Sequence, residues 1–192
     1  HIGVAERRAR LVVRHHLAPA SRAVDVAAMV RDLIALHATD PVSVYLAAWA
    51  RVRGFRVAQL DDALYEDRTL VRVLGMRRTM FVLPAELVPV VLAACTRAIA
   101  VVERRKTVQF LSEAGFADDV PAWLEDVEKS TLAALADRGA ALSTELSADV
   151  PRLAQQMVLS RGKSYEGKQS IATRVLPLLA ADGRVVRGRP RG

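Results

Sequence analysis

A chain of 192 residues that is 52% hydrophobic but only 5% aromatic has apolar surface for one large or two small packed domains, and its reliance on Ala, Val and Leu favours helices over a β-sandwich. No uninterrupted apolar stretch reaches the roughly 18 residues that a membrane span requires, the first residues lack the apolar core of a secretory leader, and the lone Cys95 excludes an internal disulfide framework. That single cysteine fits a reducing compartment, with the cytoplasm as the expected setting, and the net charge is +7 with an isoelectric point of about 10.3.

In chain order, Val26, Val30, Leu33 and Ile34 repeat at helical spacing after the polar stretch Ser21 to Asp25. Asp40-Pro41 is a helix start, because Asp caps and Pro is tolerated at the first helical position. Val44, Ala47 and Ala48 carry that helix to Gly54, and a third short helix is predicted from Ala58 to Tyr65. Val71, Val73, Met80, Phe81 and Val82 around Gly75 and Arg77-Arg78 predict a β-hairpin. Pro84-Ala85-Glu86 then opens a long apolar helix that runs to Arg104-Arg105-Lys106, with Cys95 packed inside it.

The second half follows a similar plan. Asp119 to Arg138 carries Leu124, Val127, Thr131 and Leu135 on one helical face, with Gly139 as its C-terminal cap. Ser143 is placed to cap a short helix that stops near Pro151, and a third helix is predicted over Lys168 to Ala181 with Ile171, Val175, Leu178 and Leu179 inward. Asp182-Gly183 is a turn signal, after which Val185-Val186 is predicted as the first strand of a basic hairpin. Helix, short helix, helix and hairpin is the order of a winged helix-turn-helix. The expected fold is therefore mainly α with short β-hairpins, as tandem winged helix-turn-helix units over 1–112 and 113–192. A hairpin cannot close with one strand, so the native chain is expected to continue.

The basic charge is distributed unevenly: residues 161–192 carry a net +6 and residues 1–22 a net +4, which leaves −3 for the middle. Basic ends on an ordinary scaffold fit a surface that meets phosphates. The expected contacts to double-stranded DNA are Arg77 and Arg78 on the first hairpin, Lys168, Gln169 and Arg174 on the third helix, and Arg184, Arg187, Arg189 and Arg191 in the second wing. Adjacent His15 and His16 point to different sides of a helix and no cysteine or carboxylate stands at ligand spacing, so no metal is expected. Trp49 and Trp123 lie on apolar helical faces, where core packing is the expected role.

Three separated segments, Leu36-His37-Ala38-Thr39-Asp40-Pro41, Leu70 to Phe81 and Gly183 to Gly192, resemble a bacterial family of winged-helix DNA-binding proteins that includes the AlkZ and YcaQ DNA glycosylases. The similarity runs in order from about Ala9 to the end. The resemblance implies a C-shaped DNA channel built from tandem winged helices, and hydrolytic removal of alkylated bases, N7-alkylguanine adducts and some interstrand crosslinks among them, without metal or organic cofactor. It also implies a Gln-x-Gln or Gln-x-Asp motif that holds the attacking water. At those positions this chain has His37 and Thr39, with Ala38 between them, and Phe81 stands where the glycosylases often have histidine.

Alkylation at N7 makes guanine a cationic leaving group, so the remaining task is to position a water and stabilise an oxocarbenium-like transition state. A neutral His37 can orient water or accept its proton and Thr39 offers a hydroxyl, but neither brings negative charge. Asp40 can, although capping the helix after Pro41 competes for it. The expectation is a glycosylase-like repair protein, a monofunctional DNA glycosylase if it is catalytic at all. The alternative is a noncatalytic winged-helix DNA-binding protein or transcriptional regulator.

Overall fold

The computed structural model describes residues 2–159, 164 and 167–190. It is 63% helix with small antiparallel sheets. The chain divides into two compact units, residues 1–96 with 186–189, and residues 97–185 with 190–192.

The first unit begins with α1 (Val4–Arg14), which buries none of its residues. Asp25 caps α2 (Val26–Leu33) by accepting a hydrogen bond from the Ala28 N–H at 2.7 Å. Val26, Met29 and Val30 occupy one face of α2 and are buried. The chain turns at Ile34, which takes a left-handed φ of 69°, into the two-residue strand β1 (Leu36–His37). Asp40 and Pro41 start α3 (Pro41–Arg51) as their chemistry dictates, the Asp40 carboxylate accepting from the Val42 N–H at 3.2 Å. Next, α4 (Val57–Asp61) runs into a wider π-type turn over Asp62–Glu66.

Strands β2 (Leu70–Leu74) and β3 (Met80–Pro84) form the hairpin, and β1 pairs with the other edge of β3, giving the order β1-β3-β2. Met29, Val30, Val44, Ala48, Leu60, Leu70 and Val82 form the core beneath this sheet. Each large side chain fully removed from water there contributes about 1.5–3 kcal/mol, so the sheet is anchored through this core, and on β3 the consecutive residues Val82 and Leu83 are both buried. After β3 comes α5 (Val88–Val91), within a continuous helical run over Ala85–Glu113. That run is long and apolar enough to cross a membrane by length and composition alone, and Arg97 lies within it without breaking the helix. Cys95 in this run is half-buried.

The second unit contains α6 (Arg97–Glu113), α7 (Val120–Arg138), α8 (Ser143–Asp149), a hairpin of β4 (Gln156–Leu159) with β5 (Gly167–Ser170), and α9 (Ala172–Ala181). Asp119 caps α7 through the Ala122 N–H at 3.0 Å, and Gly139 ends it at a φ of 72°, a conformation that glycine alone takes without strain. Leu111, Leu124, Val127, Leu153, Met157, Ile171 and Leu179 form the core. Against it, Arg104 spans Glu128 at 2.8 Å and Asp182 at 2.6 Å. Burial disfavours the Arg104 charge, but the two carboxylates outweigh it and push the guanidinium above the usual arginine value.

Three sequence expectations are corrected here. Lys168 and Gln169 lie on β5, not on a helix, and the third helix begins only at Ala172; Gly167 to Ser170 has no apolar residue to mark either period. Among the described residues, Val185 and Val186 pair with no strand. Finally, Trp49 is 68% exposed, whereas Trp123 packs edge-on against Phe116 with ring centroids 5.8 Å apart.

Candidate functional site

The strand period of two sets the geometry around residues 37–39. Ala38 is wholly buried, and its neighbours His37 and Thr39 are both exposed. His37 pairs across the sheet with Phe81, whose ring meets the imidazole edge-on at a centroid distance of 5.6 Å. The Ala38 N–H donates to the Met80 carbonyl at 2.7 Å. One step further along, the Thr39 hydroxyl takes over the pairing and accepts from the Met80 N–H at 3.3 Å. The same hydroxyl lies 3.4 Å from His37 Nε2. Which of the two atoms donates across this contact is set by the imidazole tautomer.

Two further groups fix the turn. Arg72 of β2 donates from Nη2 to the Ala38 carbonyl at 2.6 Å and to the Thr39 carbonyl at 3.5 Å. Its Nε is buried without a hydrogen-bond partner. On the α3 side, the Ser43 hydroxyl donates to the Asp40 carbonyl at 2.6 Å. Asp40 is exposed, with one carboxylate oxygen engaged by the Val42 N–H. His37, Thr39 and Asp40 are thus exposed polar positions, with the buried Ala38 between the first two and the Ala38 and Thr39 carbonyls held by the Arg72 guanidinium.

The basic residues fall into separate groups. Arg77 and Arg78 are exposed at the β2–β3 turn, and both take left-handed backbone angles, φ 56° and 60°. Such strain at two consecutive non-glycine residues is uncommon and concentrates at functional positions. Lys168 and Gln169 are exposed on β5, and Arg174 is half-buried on α9. Arg184 is exposed just beyond α9, and Arg191 lies outside the described residues.

Arg187 and Arg189 belong to the first unit. Arg189 reaches Asp61 at 3.3 Å and Glu66 at 3.1 Å, and its guanidinium sits 5.4 Å from the Tyr65 ring centroid. Asp61 also accepts from the Tyr45 hydroxyl at 2.6 Å; burial and that bond push the hydroxyl up from its ordinary value. The Arg187 carbonyl accepts from Arg68 Nη1 at 3.0 Å.

Arg68 and Arg72 escaped the sequence reading. The signal for Arg72 was present, since it is the lone charge inside the apolar strand Leu70-Val71-Arg72-Val73-Leu74. No curated protein and no solved structure matches this chain. The family model described as DNA glycosylase AlkZ-like matches it over residues 30–192, taking in β1, the exposed pair, the strained hairpin and the whole second unit. The chain belongs to the AlkZ-like DNA glycosylase family.

Proposed function

We propose that this protein is a DNA-repair glycosylase of winged-helix architecture that acts on bases already made cationic by alkylation. The observation that carries the reading is the joint outward presentation of His37 and Thr39, 3.4 Å apart, at the positions where the family resemblance puts the water-holding residues. In the first unit, the order α2, β1, α3, α4, β2, β3 matches a winged helix with the β2–β3 hairpin as its wing. In the second, a hairpin precedes the last helix, so the winged-helix assignment there rests on the family alone.

The chemistry follows from what the pair lacks. Neither His37 nor Thr39 supplies the negative charge that would stabilise an oxocarbenium ion, and Asp40 is partly committed to its helix. The enzyme therefore depends on the leaving group. An N7-alkylated guanine departs without protonation, so a water held by His37 and Thr39 suffices, while a normal base stays in place. Arg77, Arg78, Lys168, Gln169, Arg174 and Arg184 are the proposed DNA contacts; Arg189, being paired with Asp61 and Glu66, serves instead to hold its own segment. The test is release of free base from duplex DNA containing N7-methylguanine, against an undamaged duplex of the same sequence. A second reading, a noncatalytic DNA-binding member, is favoured by the absence of both glutamines, and it predicts salt-dependent duplex binding with no base released.

A further inference from the structure

The turn between β2 and β3 is held by several hydrogen bonds at once. The Gly75 N–H donates to the Thr79 carbonyl at 2.9 Å and closes the hairpin. Inside that ring, the Met76 carbonyl accepts from the Thr79 N–H at 3.2 Å and from the Thr79 hydroxyl at 2.8 Å. At its base, the buried Thr96 donates from its hydroxyl to the Leu74 carbonyl at 2.6 Å. A Cβ on Gly75 would stand 2.9 Å from the Phe81 ring and 3.7 Å from Val91, so the chain enters the turn through a filled space. These contacts hold Arg77 and Arg78 at left-handed φ angles of 56° and 60°, which residues with side chains rarely adopt.

The side chain that this fixed turn presents to water is apolar. Met76 is 61% exposed and takes no part in the core of the first unit, and the next two residues are the exposed Arg77 and Arg78. The turn is also continuous with the candidate site. Met80 accepts from the Ala38 N–H at 2.7 Å and donates its own N–H to the Thr39 hydroxyl at 3.3 Å. Four residues of chain separate Met76 from Met80, at most about 14 Å when extended, which is the length of about four base steps along a DNA strand. A duplex seated against Thr39 is therefore within reach of Met76.

We propose that Met76 is a wedge that enters the base stack of duplex DNA beside the target nucleotide and fills the gap left by the extruded base, with Arg77 and Arg78 on the flanking phosphates. DNA as the occupant rests on the function proposed above; the fixed, apolar tip does not. A base inside the stack is out of reach of a water held at the protein surface, so the nucleotide has to leave the helix before its glycosidic bond is attacked. The vacated gap is flat and apolar, and a long unbranched side chain fits it, while cationic neighbours hold the strand on either side. Rigidity serves this role because a tip already in its bound shape loses little entropy on insertion. Met76 is a positioning residue: it holds the base out of the stack and touches no reacting atom.

The test compares wild type, Met76→Ala and Met76→Leu in the full chain. The probe is an oligonucleotide carrying one N7-methylguanine with 2-aminopurine as its neighbour, used as a duplex and as a single strand. Since Met76 is exposed, Met76→Ala should leave the melting temperature unchanged. Saturating wild type should raise the 2-aminopurine fluorescence of the duplex as the stack opens, Met76→Ala should not, and Met76→Leu should restore the rise. Base release from the duplex should fall about tenfold or more in Met76→Ala, because unstacking one step costs a few kcal/mol. Release from the single strand should be the same in all three proteins, since no stack has to be opened. The salt slope of duplex binding should also be unchanged, because both arginines remain.

Equal fluorescence and equal release for wild type and Met76→Ala on the duplex overturn the wedge and leave the glycosylase reading standing. Equal losses on duplex and single strand also overturn it, since Met76 would then act on the base itself and not on the stack. Failure of Met76→Leu to restore the signals does the same. If wild type releases no base but raises the duplex fluorescence through Met76, the wedge is upheld in a noncatalytic DNA-binding protein and the glycosylase reading falls. A wild type that does not bind duplex overturns both.

Discussion

Gly75 and Phe81 approach so closely across the β2–β3 hairpin that a Cβ on residue 75 would stand 2.9 Å from the Phe81 ring. The same ring lies edge-on to His37, so the absence of a side chain at one end of the hairpin fixes the position of the imidazole at the other edge of the sheet. Gly75→Ala forces the Phe81 ring to move. The expected cost is about 1–3 kcal/mol of stability, measured by urea denaturation, together with a fall in base release larger than the stability loss explains. Activity unchanged in a folded Gly75→Ala protein would separate Phe81 from the placement of His37.

The two tryptophans respond oppositely to truncation. Trp49→Ala on exposed α3 should change stability by no more than about 0.5 kcal/mol. Trp123→Ala removes the ring that packs on Phe116 in the second core and should cost about 2 kcal/mol or more. Equal losses at both positions would show that the Trp49 face is covered in solution.

Arg138 and Asp149 join α7 to the end of α8 through a two-pronged contact. The hydrogen bond from Arg138 holds the Asp149 carboxyl below its ordinary value. A depressed carboxylate contributes stability that is present above its unfolded value and is lost as pH falls through the folded one. Stability curves measured between about pH 6 and pH 2 should therefore drop less steeply for Asp149→Asn than for wild type. Superimposable curves would show that the contact contributes nothing in solution.

Arg189 secures the segment Val186–Arg189 through Asp61, Glu66 and the Tyr65 ring. These are solvent-accessible pairs, so Arg189→Gln should cost about 1 kcal/mol or less globally. Local release should be larger. Trypsin should cut after Arg187 faster in Arg189→Gln than in wild type, read by intact mass; an unaltered cleavage rate would show that Arg189 does not hold the segment.

Much of the scaffold was legible in the sequence because its signals are local. Asp40-Pro41 and Gly139 act through backbone groups within a few residues, and the structure uses them as their chemistry dictates. The side of a helix that faces the core is not local. On α3, Val42, Val44, Leu46, Ala48 and Trp49 are all apolar, and only packing decides that Val44 and Ala48 go inward while Val42, Leu46 and Trp49 stay outside. Strand β5 failed for a related reason: Gly167 to Ser170 has no apolar alternation, and its pairing with β4 supplies the strand. At the candidate site, His37 and Thr39 could be read as a pair from their spacing, but the hydrogen bond from Arg68 to the Arg187 carbonyl depends on how a distant segment folds back, which no local pattern encodes.

The most direct test of the central claim is the rate of free-base release from duplex DNA containing N7-methylguanine, measured for wild type, His37→Ala and Thr39→Ala. The account predicts release by wild type above the spontaneous rate, a loss of about a hundredfold in His37→Ala, the scale of one general acid–base group, and a smaller loss in Thr39→Ala, with duplex affinity preserved in both. Release that is unchanged in both variants, or no release by a wild type that binds duplex, would contradict it.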